Sequence, residues 1–296
     1  LWRIKMLIGD NPLGDKPDWF LENISTKPLE KSITVKGAEI KYYCWGDLNK
    51  PGLILLHGYN AHSNWWSHIA PFFTDKYCVV SLDFSGMGNS DNREEYSQEI
   101  YSTEIETVVK DMGWNQVICL AHSMGGAIAT YSTSMYPYLF SKLILLDSII
   151  ILPPEKAEIM KSRRPKSRMD ILSDSLESAS SRFRLMPPQP CENDYILDHI
   201  AKTSYKKIDD GWVLKADPKI SNSYQYNDLH EIFMKIKVDI ELVYGQLSQI
   251  LTQDVLDYMI YVGQLSEDKI HRIDGAMHHL FLDKPLEFSE LIKKII

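Results

Sequence analysis

The sequence predicts an α/β protein: a mostly parallel, eight-stranded sheet with helices on both faces and a helical cap inserted late in the chain. Three observations carry this. Short apolar runs alternate with segments of helical periodicity from residue 52 onward. The runs are apolar throughout rather than at every second position, as strands covered on both faces require. The alternation breaks once, where about ninety residues separate two of the runs, far more than a crossover needs.

A polar lead-in containing Trp19 and Phe20 reads as an N-terminal extension over residues 1–31. SITV (32–35) and EIKYYCWG (39–46) then form a hairpin across Lys36-Gly37. Six further strands follow: GLILLHG (52–58), YCVVSLDF (77–84), VICLAHS (117–123), KLILLDS (142–148), IELVYG (240–245) and DKIHRIDG (268–275). Helices are expected near 63–73, 97–112, 124–136, 252–262 and 285–296. The core then comprises 32–149 and 237–296, and the gap, 150–236, is the cap. Within it, helical periodicity recurs at 159–183 and 193–205, and Pro-rich punctuation interrupts RFRLMPPQPC (182–191). A cap there would cover the carboxyl edge of the sheet, where ligands bind in open α/β folds.

Composition narrows the function. With 44% hydrophobic and 24% charged residues the chain is an ordinary globular protein. A net charge of -8 disfavours a nucleic-acid partner. The densest basic stretch, Lys161 to Arg168, is broken by Pro165 and reads as a solvated loop. Four cysteines without a CxxC pair point to free thiols and a reducing cytoplasm. The longest apolar stretch, 143–154, is too short for a membrane span and contains Asp147. The opening LWRIKMLIGD lacks the apolar region and cleavage site of a secretory signal, and the chain does not begin with Met.

Chemistry concentrates at strand ends. Ala-His-Ser-Met-Gly-Gly (121–126) lies between an apolar strand and a small-residue helix, the strand–serine–helix pattern of a nucleophile elbow with Ala in the first Gly position. Small neighbours at 121 and 125 let the chain turn sharply, and the following helix aims N–H groups at negative charge beside Ser123. LLHGYN (55–60) places His-Gly at another strand end, and DFSGMGNSD (83–91) forms a turn motif. DGAMHHLFLDKP (274–285) sets His278 and His279 after the last strand, with Pro285 seven residues beyond His278.

Taken together and in this order, these motifs resemble the α/β-hydrolase superfamily, in its group with a helical cap after the sixth strand, over residues 32–296. The resemblance implies a Ser-His-acid triad with Ser123 as nucleophile and His278 as base, His279 being the rival. It implies backbone oxyanion donors at Tyr59 and Met124, with the Tyr59 hydroxyl as the alternative donor. The usual acid position is empty, since Gly245 is followed by Gln246-Leu247-Ser248-Gln249. A second family position, at the end of the sixth strand, holds Asp147, which becomes the expected acid, with Asp254 as the alternative. Asp83 is expected to be structural, and His57 and His122 to order the backbone. Asn60, Trp65, Trp66 and His122 are candidate pocket residues, although the Trp pair also fits core packing. Neither HExxH nor a Cys/His spacing suited to a metal occurs, and GMGNS (86–90) lacks the ending of a phosphate loop. No metal and no cofactor is expected.

The expected function is hydrolysis of a small or medium acyl ester by a soluble enzyme, with a small-molecule acyl substrate as its partner. The same triad could serve C–C bonds, lactones, thioesters or perhydrolysis. A serine nucleophile disfavours epoxide or haloalkane opening, which needs a carboxylate. A catalytically silent binding protein is the reading from another class. Oligomeric state and the natural substrate are not legible.

Overall fold

A computed structural model describes residues 16–162 and 171–296. The eight expected strands form one sheet: β1 (Leu29–Val35), β2 (Ala38–Trp45), β3 (Gly52–Leu56), β4 (Cys78–Leu82), β5 (Val117–His122), β6 (Phe140–Leu146), β7 (Asp239–Gly245) and β8 (Ile270–Ile273). Their order across the sheet is β1-β2-β4-β3-β5-β6-β7-β8. Only β2 runs against its neighbours. The β1–β2 hairpin closes through Lys36 and Gly37, whose φ values of 45° and 83° give the primed turn that matches strand twist.

Strand alternation divides the core in two. Ile54 and Leu56 of β3 face a cluster with helices α2 (Gln98–Asp111) and α3 (Met124–Met135), while Leu53 and Leu55 face the other side. That second cluster gathers Phe20 of helix α1 (Asp18–Ser25), Trp65, Trp66 and Phe73. The single helix expected over 63–73 is two 3-10 turns, Ser63–Trp66 and Ala70–Phe73. Pro71 in the first turn of the second segment interrupts a continuous helix, and the Asp83 carboxylate accepts the Ser63 N–H (2.7 Å) where the first segment begins.

Between β6 and β7 the chain forms α4 (Pro154–Ser162), α5 (Leu176–Ser181) and α6 (Asp194–Thr203), then a feature that helical periodicity did not suggest. Tyr205–Ile208 and Gly211–Leu214 make an antiparallel hairpin. Three of the four residues in its first strand are exposed, so no apolar run announced it. Tyr224–Gln225 pairs with Tyr96–Ser97 and Met87 with Ala216, tying the insertion to the core. After β7 come α7 (Gln253–Gly263) and α8 (Pro285–Ile295), the latter opening on Pro at a position that needs no N–H. Residues 1–15 of the expected extension, and most of the basic loop from Lys161 to Arg168, lie outside the described residues. Cys44, Cys78, Cys119 and Cys191 are free thiols. No helix among the described residues is long and apolar enough to cross a membrane.

Burial lowers the pKa of six histidines: His57, His62, His68, His122, His199 and His279, with His68 brought to about 3 and His199 to about 4. Unfolded histidine titrates near 6.5, so below that pH the unfolded chain takes up protons that the folded chain refuses. Their stabilising effect is complete above about pH 6.5 and is lost as pH falls toward the folded values. Burial raises Glu104 and Asp283, an opposing trend from two groups against six. Urea unfolding is expected to show stability declining from about pH 7 to about pH 5, by up to about 1.4 kcal/mol per pH unit for each histidine. A midpoint that stays flat across that range overturns this.

Candidate active site

The turn from β5 into α3 holds Ser123 at φ 54° and ψ -121°. Five non-glycine residues among those described have positive φ, and three of them, Asn60, Ser123 and Asp147, stand at the carboxyl ends of β3, β5 and β6. Strain of this kind persists only where the surroundings enforce it, and here it gathers at one edge of the sheet. The tightness explains Gly125: a Cβ there would lie 2.7 Å from the carbonyl oxygen of His57. The Ser123 N–H is fixed by the Leu146 carbonyl of neighbouring β6 at 3.1 Å.

Three side chains from three stretches of chain meet at this edge. His278 Nε2 lies 3.0 Å from Ser123 Oγ, and His278 Nδ1 lies 2.8 Å from Asp147 Oδ1. Asp147 is fully buried and His278 nearly so, at 0% and 2% exposure. The carboxylate also accepts the Gly245 N–H on Oδ2 at 2.9 Å and the Ser248 hydroxyl on Oδ1 at 2.7 Å. Ser248 stands at the empty acid position. It carries no charge, yet it donates to the aspartate that came from the other strand. Its signal in the sequence is its place three residues after Gly245.

Asp254 is not brought to this site. It opens α7, is more than half exposed and pairs with Lys156 at 2.6 Å. Asp254→Asn is therefore expected to leave kcat within about twofold of the parent, as exposed changes do; an ester assay checks it. Asp83 uses its oxygens to hold the N–H groups of Ser63 and Asn89, a structural role. His57 bonds the Gly58 carbonyl and the Phe84 N–H. His122 directs Nε2 to the carbonyl of His278 at 3.0 Å.

Gly58 abuts the serine: a Cβ added to it would sit 3.1 Å from Ser123 Cβ. Met124 is the first residue of α3, so its N–H belongs to the helix terminus beside Ser123. Asn60 is half-buried and approaches Met186 Sδ at 3.9 Å. Trp65 packs on His279, with ring centroids 5.4 Å apart. Trp66 departs from the pocket expectation: it is fully buried and lies against Phe281 at 4.3 Å in the core. A Trp-Trp pair in sequence cannot say which ring packs beside His279.

Sequence spacing hid two further arrangements. The segment after α5 clamps the histidine loop: Gln189 accepts the His279 N–H at 3.1 Å and donates to both Asp283 oxygens at 3.0 Å. Asp283 also accepts the Met277 N–H, and Asn193 donates to the Leu282 and Asp283 carbonyls. In addition, His122, His278 and His279 come together with one ring nitrogen from each, all within 4.8 Å of one another. No metal spacing was visible because His122 arrives from another strand. A cleft of about 490 Å³ lies at the opposite edge of the sheet, around Gly52 and Trp114, away from this chemistry.

A family model described as alpha/beta hydrolase fold matches residues 51–169. The chain is 24% identical over 204 residues to a "Serine hydrolase-like protein" of Danio rerio, covering 65% of this chain and 63% of that one. It is 31% identical over 118 residues to "Epoxide hydrolase 4" of Mus musculus, over 39% of this chain and 33% of that one. The matches thus span less than two thirds of these relatives. Among solved structures, E-2-(acetamidomethylene)succinate hydrolase superposes with a TM-score of 0.77 at 16% identity, covering 90% of this chain and 98% of that one.

Proposed function

We propose that the chain, whose residues 51–169 match a family model described as alpha/beta hydrolase fold, is a serine hydrolase cleaving a small or medium acyl ester through an acyl-enzyme. One observation carries this reading: the unbroken hydrogen-bond chain from Ser123 Oγ through His278 to Asp147. A serine hydroxyl is a weak nucleophile at neutral pH, and it becomes a strong one when an adjacent base accepts its proton.

In this reading Ser123 Oγ attacks the acyl carbon as its proton passes to His278 Nε2. Asp147 holds the Nδ1–H and offsets the imidazolium charge that forms. The oxyanion accepts the backbone N–H groups of Met124 and Tyr59. His278 then gives its proton to the leaving alkoxide, and water, activated by the same histidine, releases the acid and restores Ser123. The tight acceptance of Gly245 and Ser248 by Asp147 supports a carboxylate that orients rather than attacks. Epoxide opening through an alkyl ester needs a carboxylate at the elbow, and the elbow holds Ser123.

A fluorophosphonate probe read by intact mass tests the reaction class. The expected result is one adduct, mapped to Ser123. A folded protein that takes no adduct sinks the hydrolase reading and leaves a silent binding fold. A panel of nitrophenyl esters of increasing acyl length then tests the substrate class, with kcat/KM expected to peak at short or medium chains.

A further inference from the structure

The three imidazoles at the carboxyl edge carry a chemistry that the proposed hydrolysis does not use. His122, His278 and His279 are each 2% exposed, with ring centroids 4.6, 5.3 and 4.9 Å apart. Hydrogen bonds decide what each ring has left. His278 commits Nδ1 to Asp147 and keeps Nε2 toward Ser123. His122 donates Nε2–H to the His278 carbonyl, which leaves Nδ1 with its lone pair. That nitrogen faces the serine side, since a Cβ on Gly58 would stand 3.1 Å from both it and Ser123 Cβ. Neither ring nitrogen of His279 has a hydrogen-bond partner. The carbonyls of Met186 and Pro187 act on this ring as weak acceptors that favour its protonated form, short of full hydrogen-bond geometry. A buried imidazole with neither nitrogen in a well-formed hydrogen bond calls for an explanation.

We propose that His122, His278 and His279 bind one divalent transition-metal ion, of the zinc or copper kind, and that this ion inhibits hydrolysis by occupying the nitrogen that Ser123 uses. Three imidazoles are a donor set that such ions favour over magnesium or calcium. At Zn–N of about 2.0–2.1 Å, tetrahedral ligand nitrogens lie about 3.4 Å apart. A ring nitrogen of each of the three residues lies within 4.8 Å of the others, so the set need converge by no more than about 1.4 Å. The outer partners are already placed: Asp147 behind His278 forms the carboxylate–histidine–metal arrangement, and the His278 carbonyl orients His122. Once the ion holds His278 Nε2, the Ser123 hydroxyl has no acceptor for its proton.

Binding and inhibition are separable. Binding stands on the imidazoles alone, whereas inhibition rests on the proposed triad. Calorimetric titration of zinc chloride into the Ser123→Ala protein, which keeps all three rings, is expected to show one tight equivalent. His122→Gln and His279→Gln in that background should each weaken it by more than about a hundredfold, beyond the loss caused by removing an outer partner. An equivalent that persists in both variants, with circular dichroism unchanged, places the ion elsewhere and overturns the proposal. Because either variant could fail to fold, the parent protein supplies a second measurement. Saturating zinc should slow fluorophosphonate labelling of Ser123 at least about tenfold, the least that capture of an essential base predicts, and EDTA should restore it. Labelling at an unchanged rate overturns the inhibition. If no labelling occurs even without zinc, the hydrolase reading has failed, and calorimetry still decides the metal site.

Discussion

Ser123→Ala is expected to lower kcat on a nitrophenyl ester by on the order of a millionfold, leaving only what binding and the oxyanion donors supply. The magnitude follows from the geometry, because the hydroxyl 3.0 Å from His278 Nε2 is the group that the proposed triad activates. KM should change little, since the new bond to Ser123 exists only after attack. Alanine is an L-residue like serine and meets the same φ of 54° without new strain, so the variant is a fair reference for folding. A fall in kcat smaller than about tenfold would mean that the elbow does not carry the nucleophile.

Asp147→Asn should have the next largest effect, about a ten-thousandfold loss in kcat. The amide keeps the shape but can donate toward His278 Nδ1, which favours the tautomer with its proton on Nε2, where the base must be empty. It also removes the charge that Gly245 and Ser248 both address. Asp254→Asn, measured in parallel, separates the two carboxylates; if only that change is severe, Asp147 is not the acid. Ser248 adds a sharper comparison, because its hydroxyl lies 2.7 Å from the same oxygen that faces His278. Ser248→Asp introduced into the Asp147→Asn protein should recover at least about tenfold of the lost kcat, by returning charge to the histidine from the neighbouring strand.

The sheet was legible because strands buried on both faces must be apolar at every position, and β3 and β4 are buried throughout. The placement of Ser123 and Asp147 at one sheet edge was legible for a related reason: each stands at the end of an apolar run, so the strand locates the side chain, whereas His278 was singled out by its spacing to Pro285. What escaped reading depends on contacts between distant stretches. The hairpin at Tyr205–Leu214 has a polar first strand and no period that a sequence pattern could catch. Ser248 looked like a vacancy because the partner it serves stands on another strand. Trp66 fell on the wrong side of its local turn, and the three-imidazole cluster needed β5 and the loop after β8 to be adjacent. The separation of Trp65 from Trp66 came only with packing against His279 and Phe281.

Gln189 gives the architecture a consequence for protein engineering. Insertions between β6 and β7 invite treatment as exchangeable parts, to be swapped between scaffolds when a different specificity is wanted. Here the carboxamide of that one residue is joined at one end to the His279 N–H and at the other to Asp283, which in turn anchors Met277. A transplanted insertion that respects both splice points but lacks this amide would leave the loop on either side of His278 short of its fastenings. Libraries that recombine or randomise the region should hold Gln189 and Asn193 constant, because part of what looks like the specificity module is scaffolding for the reaction centre.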